Sequence, residues 1–539
     1  PASAIYGADA LTGVVNIILK APGETASSVS SGFGDGGTYR YSGVLSGRSD
    51  AGINWTFSSN YERTEAFSLS VDPDRNDQAE LIDDPEISID NLTVGGDISY
   101  RRKGWSFDAG SRVTDGRVTF ITNTETLREV LLPDVVFAQT HARVQSPYGL
   151  SLRTFWNYLS TGGIPLENPP NSIDLSWRNL ITNVVDVELV YQSEFDFLFE
   201  QNFSAGASYR LKTINYPLYI PEEQSQDHFA VFFEDNIKFN DRIRLLLSGR
   251  ADRHPLIDEL QLSPRAALIV RPSDTTSIRA VAGRAFRGPT LIESYVNNPV
   301  RIPNSRGAVA FGVGNEELDP ENLVSFELGF IKEIVGTLTL EASVYFNRFN
   351  NTIEAAAARS PTLGDNNGFN DQFDGFEVGT VGFVNNDFTL RQLGGELGIR
   401  LFPVEGLDVY ANYAIHDTSP EDEEDPLLDG REVDQRTSRH KINAGLQYRS
   451  KFGVDLGVDL HYASSQVWAL DEGTAGTVGF SPFPIDGYTI VNGRVGYRLP
   501  GDQIEVSLEG TNLLEGRHRQ HPLGQLVDRR IFLSASLRL

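Results

Sequence analysis

His518 and His521 lie three residues apart in a polar stretch near the end of the chain. Two imidazoles at that spacing can take a metal ion or a metal chelate, and a solvated loop is the plainer expectation for such a stretch. His461 falls on the polar side of an alternating segment, which reads as a lining residue. The eight histidines form no H-E-x-x-H pair, no G-x-S-x-G elbow occurs, and the chain has no Cys. Thiol catalysis, disulfides and Cys-ligated zinc are therefore excluded. The acidic run from His416 to Asp434 and the oxygen-rich stretch from Asp365 to Gly375 carry ligands suited to Ca²⁺. The second lacks the Glu that closes an EF-hand loop, and both also read as solvated loops. Gly32, Gly34 and Gly37 satisfy G-x-G-x-x-G but sit between two strands, where a hairpin turn is expected in place of a nucleotide site.

A second set of residues combines rings and guanidinium groups in long irregular segments: Trp177, Arg178, Tyr295, Arg301, Arg306, Trp468, Phe480 and Phe483. Such side chains suit a bulky ligand that is anionic or aromatic. The alternative is that they pack loops against one another.

The elements that must carry these segments are strands. In the final "RRIFLSASLRL", Ile531, Leu533, Ala535, Leu537 and Leu539 alternate with Phe532, Ser534, Ser536 and Arg538. The same two-residue period runs through Gln503–Glu509, Val454–Tyr462, Lys441–Arg449 and Leu338–Asn347, and no comparable helical period is found. The chain is all-β. Tight connections, as at 48–52, 102–104, 239–241, 272–274, 450–453 and 499–502, are expected to alternate strictly with long ones at 64–88, 160–181, 287–322, 351–387, 417–438 and 464–487. The count is about twenty-two strands, the size of the plugged transmembrane barrels.

A soluble sandwich or propeller is the rival architecture. Strands of about ten residues or more, dense charge of both signs on the polar faces, and regular alternation of turn lengths weigh against it. In a transmembrane barrel the odd residues of the last strand face lipid and the even ones the interior. Every backbone group in hydrocarbon needs a partner, so the last strand must pair with the first, near residues 25–34. Tyr413, Tyr448, Tyr462 and Tyr497 lie on apolar faces near strand ends, as an interfacial girdle would.

The formal net charge of −27 over 539 residues argues against nucleic acid as a partner. No run of about eighteen apolar residues offers a transmembrane helix. The chain contains no Met, even at position 1, and is read as starting inside a longer gene product.

Residues Pro1–Lys20 differ in character from the rest. Pro1, Ala2, Ser3, Ala4, Tyr6 and Gly7, followed by Gly13, Val14, Asn16 and Ile17, closely resemble the final segment of the plug domain of TonB-dependent outer-membrane receptors. "GRAFRGPTLIESY", "GNEELDPENLVSFELGF", "GGELGIRLFP", "SRHKINAGLQY" and "EGTNLLEGRHRQ" resemble further stretches of that family in order, over essentially the whole chain. The resemblance implies a plug remnant at 1–22, with Tyr6, Gly7, Gly13 and Asn16 as its motif, and a barrel at 23–539. It implies a monomeric, non-enzymatic importer in the outer membrane of a Gram-negative bacterium, in contact with lipid and lipopolysaccharide. Its small-molecule solute would be a ferric siderophore, another metal chelate or cobalamin, with no resident cofactor apart from Ca²⁺ in acidic outer loops. A passive porin or an oligosaccharide importer is the alternative. The family's energy-coupling box, which pairs with TonB, and a signal peptide are expected upstream. Leu539 stands where the family commonly ends in Phe.

Overall fold

The computed structural model describes every residue except 1–3, 5–6, 8–9, 18–19, 25, 68–86, 123–127, 163–178, 218, 302–307, 335, 360–368, 371–374, 387–388, 422–434, 472–479, 515 and 522–525. Among the described residues no helix is long and apolar enough to cross a membrane. The architecture is built from strands. Twenty-three of them hydrogen-bond into a single antiparallel sheet. One, Gln261–Leu262, extends the same stave as Arg265–Ser273, since both pair with Ile243–Arg253. The wall is thus a closed barrel of 22 staves.

Closure is made as the alternation predicts. Ser28–Gly34 pairs with Thr38–Arg48 on one side and with Arg530–Arg538 on the other, so the first and last strands complete the ring. No edge is left with unpaired amides inside the membrane. Directly opposed residues of antiparallel strands point to the same face. Leu508, Leu533, Phe33 and Tyr39 form one such row, and all four are exposed. The neighbouring row is Ser507, Ser534, Gly32, Arg40 and Glu62, with Arg40 bonded to Glu62 at 2.9 Å and lying over the Phe532 ring. Apolar side chains face out and polar ones face in. Tyr448 and Tyr497 sit in the outward rows beside Leu456, Val454 and Val506, while Phe199 meets Phe239 edge-on at 4.7 Å. These rings mark the turn-side interface. At the other end Tyr41 with Tyr61 and Tyr209 with Phe229 mark the outer one.

Strict alternation of short and long connections does not hold. At the loop end, 35–37, 123–127 and 217–219 are short. An antiparallel reversal needs only two or three residues, so loop length there is unconstrained by the fold. The first of these is the Gly-rich motif, a hairpin in which Gly36 and Gly37 have positive φ. At the other end the connections are tight, down to the single Leu198 between Phe197 and Phe199. Ile220–Asn240 has 21 residues, about twice what hydrocarbon requires, so its upper half stands clear of the membrane.

The segment before the first strand lies inside the ring. Ala4, Gly7 and Ala10 are buried. A Cβ on Gly7 would approach the Arg250 guanidinium to 3.1 Å, and its φ is +84°. Further along, the Gly23 amide donates to Ser46 Oγ at 3.1 Å. Arg250 belongs to the eleventh stave and Ser46 to the second, so this segment crosses the lumen. Val15 and Ile17, 90% and 79% exposed, present apolar side chains on an irregular stretch of backbone.

Candidate functional site

The mouth of the barrel has two differently built sides. On one, Thr276–Arg287 rises out of the wall and turns into the short helix Leu291–Tyr295. Thr290 and Glu293 form a reciprocal capping box: Glu293 N donates to Thr290 Oγ1 at 3.2 Å and Thr290 N to Glu293 Oε2 at 2.7 Å. This satisfies helix-end amides that would otherwise lack partners. Arg287 ties the helix to the next stave, donating to both Glu293 oxygens at 2.9 and 3.1 Å and to Glu321 at 2.5 Å. Glu321 in turn accepts from the Ile353 amide at 2.8 Å. Burial pushes the Glu293 carboxyl up, but Arg287 and the Thr290 amide outweigh it and hold it below its ordinary value. Asn315 and Asn385 brace the neighbouring loop through Phe383 O and the Asp319 backbone.

The other side is made by the segments after Val454–Ala463 and Ile504–Thr511. His518 stacks on Tyr488 with ring centres 4.6 Å apart, and His521 meets Trp468 edge-on at 4.7 Å. Trp468 Nε1 donates to Gln466, whose own amide donates to Ser438. Arg517 bonds Asp528 at 2.8 Å. A cavity of about 470 Å³ opens here, lined by Tyr488, Arg517, His518 and Arg519. Burial pushes the His521 imidazole below its ordinary value, which favours the neutral form. Asp528 is held low by the Arg529 amide and by Arg517. Residues 517–530 contain four Arg and one Asp, a positive strip in a chain whose net charge is −27. Rings, imidazoles and guanidinium groups at a wet entrance can grip a large anionic or aromatic solute by stacking and charge.

Among the residues expected to contact ligand, Trp468 joins this cluster. Tyr295 sits on the opposite side, half-buried, where burial raises its hydroxyl and a bond to Gln226 acts the other way. Trp177, Arg178, Arg306 and the plug residue Tyr6 lie outside the described residues. For Arg301, Phe480 and Phe483 the backbone is placed in Asn297–Arg301 and Phe480–Ile485. Gly7 is seated on the wall, whereas Gly13 and Asn16 are exposed in the segment that crosses the lumen. The acidic stretches considered for Ca²⁺ fall largely outside the described residues. Among those described, no three His, Asp or Glu side chains converge on a metal position. His518 stacks on Tyr488 and His521 meets Trp468 edge-on, so the two imidazoles engage different rings. Arg517, Arg519 and Tyr488 were not singled out by sequence, although Arg and His alternate in 517–519 against an acidic background.

Residues 24–513 match a family model described as TonB dependent receptor-like, beta-barrel. No curated protein matches the chain. Among solved structures, the ferric enterobactin receptor PfeA of Pseudomonas aeruginosa is similar over 100% of this chain and 84% of its own, with TM-score 0.78 and 17% identity. The siderophore receptor PirA of Acinetobacter baumannii is similar over 97% and 81%, at 0.75 and 15%. The ferric-catecholate import receptor Fiu of E. coli K12 is similar over 100% and 85%, at 0.71 and 13%. At these identities the likeness is one of fold.

Proposed function

The chain belongs to the TonB-dependent receptor family of outer-membrane β-barrels, and on that premise we propose that it captures a ferric siderophore at its outer mouth for TonB-driven import. No bond chemistry is required. The work is selective binding followed by a gated conformational change, so the chain is a receptor and not an enzyme. The observation that carries this reading is the cluster of Trp468, Tyr488, His518, His521, Arg517 and Arg519 above a polar lumen. Guanidinium groups complement the negative charge of many ferric chelates, and flat rings complement aromatic chelating groups. The names of the similar structures, all receptors for iron chelates, support the same solute class. A passive pore has no use for a segment crossing its lumen, and Gly7 is seated there against Arg250.

Calorimetry on the full-length protein with ferric enterobactin, other ferric chelates, cobalamin and a maltooligosaccharide tests the proposal. One ferric chelate should bind with submicromolar Kd, worth more than about 8 kcal/mol. Uniformly weak binding of the ferric chelates, or tight binding of the sugar alone, would overturn it.

A further inference from the structure

One sector of the outer wall carries arginines where its neighbours carry rings. Across the staves from Thr276–Arg287 to Leu407–Pro420, Arg284, Val324, Arg348, Arg391 and Ser419 are each directly opposed to the next. Opposed residues share a face. Two positions nearer the turn end, the same face carries Ala282, Phe326, Phe346 and Leu393, and Phe326 and Leu393 are exposed. The arginine row therefore points away from the lumen. Val324 stands ten residues from Ile334, the turn end of its stave. On a strand tilted by about 40°, ten residues rise about 25 Å, the height of the apolar band of such barrels. The row thus lies at the outer border of the hydrocarbon, level with lipid headgroups.

Arg348 and Arg391 oppose each other directly, a placement of like charges that weakens a sheet standing alone. Glu421 accepts from Arg348 at 2.8 Å. Among the described residues the partners of Arg391 and Arg284 are neutral: Ser419 Oγ at 3.2 Å and Asn322 Oδ1 at 2.7 Å. Three guanidinium groups against one carboxylate leave this row positive in a chain whose net charge is −27. Directly beneath it the outer wall is hollowed. Ala282 lies between Ala266 and Phe326, and Ala280 between Leu268 and Leu328. The small side chains form the floor of a cavity of about 480 Å³, and the large ones, all exposed, form its sides. At this depth the surroundings are hydrocarbon, so an apolar chain is what can fill the trough.

We infer that this sector is a binding site for a phosphorylated glycolipid of the outer leaflet, lipopolysaccharide, with its headgroup phosphates on Arg284, Arg348 and Arg391 and one acyl chain in the trough below. Two residues along a strand cover about 7 Å, so charge and trough are adjacent and one amphipathic molecule reaches both. Guanidinium forks grip phosphate oxygens in pairs. A phosphate between Arg348 and Arg391 turns a repelling cross-strand pair into a bridged one. A neutral lipid would fill the trough and leave that repulsion in place. The inference uses only the barrel's position in the outer membrane, and it holds for any solute carried through the lumen.

The test titrates the full-length receptor, stripped of lipid in detergent, with three probes: hexa-acylated lipid A bearing two phosphates, the same lipid A without phosphates, and inorganic phosphate. Native mass spectrometry counts what stays bound. One bisphosphorylated lipid A should be retained per receptor at concentrations where the other two probes are not. Arg348→Gln combined with Arg391→Gln should lower its affinity at least tenfold. Ala282→Trp, which fills the trough and keeps every arginine, should lower it at least fivefold and serves alone if the arginine pair is needed for insertion. Arg117, an outward arginine on another sector, is bonded to Asp90 at 2.6 Å, and Arg117→Gln should change the affinity less than twofold. Parental affinity in either site variant, an equal loss in Arg117→Gln, or equal retention of the phosphate-free lipid or of inorganic phosphate would overturn the inference.

Discussion

The two sides of the mouth differ in where their polar groups are directed. Around Arg287 every bond closes inward: guanidinium to two carboxylates, helix cap to itself, one carboxylate to the amide of the next loop. Around His518 ring contacts dominate: the imidazole stacks on Tyr488 and His521 meets Trp468 edge-on, while the bonds to Gly516 O and Gln520 engage only the edge of the His518 ring. The first side holds loops in position, and the second presents surfaces to whatever arrives. A rim can be rigid on one side and adhesive on the other because directional ion pairs and undirected ring contacts make different demands on geometry.

The largest effect should come from breaking the holding side. Arg287→Ala leaves Glu293 and Glu321 largely buried without their counter-charge, at a cost of about 3–5 kcal/mol. Limited proteolysis should then cut within 288–320 in the variant and spare the parent, while chelate affinity changes less than threefold if the two sides are independent. Next, Arg517→Ala combined with Arg519→Ala should weaken chelate binding by about 1.5–3 kcal/mol, tenfold or more, without changing barrel melting. Equal loss of melting temperature would show that these arginines hold structure after all. Trp468→Leu should cost about 0.5–1.5 kcal/mol of binding through the lost ring contact, readable as a twofold to tenfold rise in Kd.

The smallest effects are those of pH, and they separate the sides by sign and range. The folded state lowers the Glu293 carboxyl, so its stabilisation is present above the ordinary value of about 4.5 and is lost as pH falls through the lower folded value. Loop proteolysis at 288–320 should therefore stay slow down to about pH 4.5. The folded state also lowers the His521 imidazole, so its segment is at full strength above about pH 6.5 and weakens as pH falls below that. Trp468 fluorescence, followed as the difference between parent and Trp468→Leu, should titrate with a midpoint under 6.5. A midpoint above it would contradict the burial of His521 against the indole.

The wall was readable because a strand's two-residue period leaves little freedom: alternation in Arg530–Arg538 assigned both faces and required the pairing with Ser28–Gly34 that the structure contains. Departures occur where period no longer constrains. Three short connections at the loop end escaped prediction because either length is compatible with an antiparallel reversal. Asp235 shares the outward row with Phe203 and Leu247, where alternation calls for an apolar residue, and nothing in the structure explains it. The mouth was only partly readable. Trp468 could be named from its type, but its meeting with His521 depends on two segments separated by two staves. Tyr488 looked like one more strand residue, since which face it presents follows from its pairing with Ala463. Glu293 and Thr290 were local and could be read; the link from Arg287 to Glu321 was not, because residues 288–320 intervene.

The seam between Ser28–Gly34 and Arg530–Arg538 joins parts of the chain roughly five hundred residues apart, through seven paired positions. Hairpins between consecutive staves can form as soon as both strands exist, but this joint has to wait for the final residues to be synthesised. Loss of only a handful of final residues would strip both edges of their partners and yield a sheet that never becomes a tube.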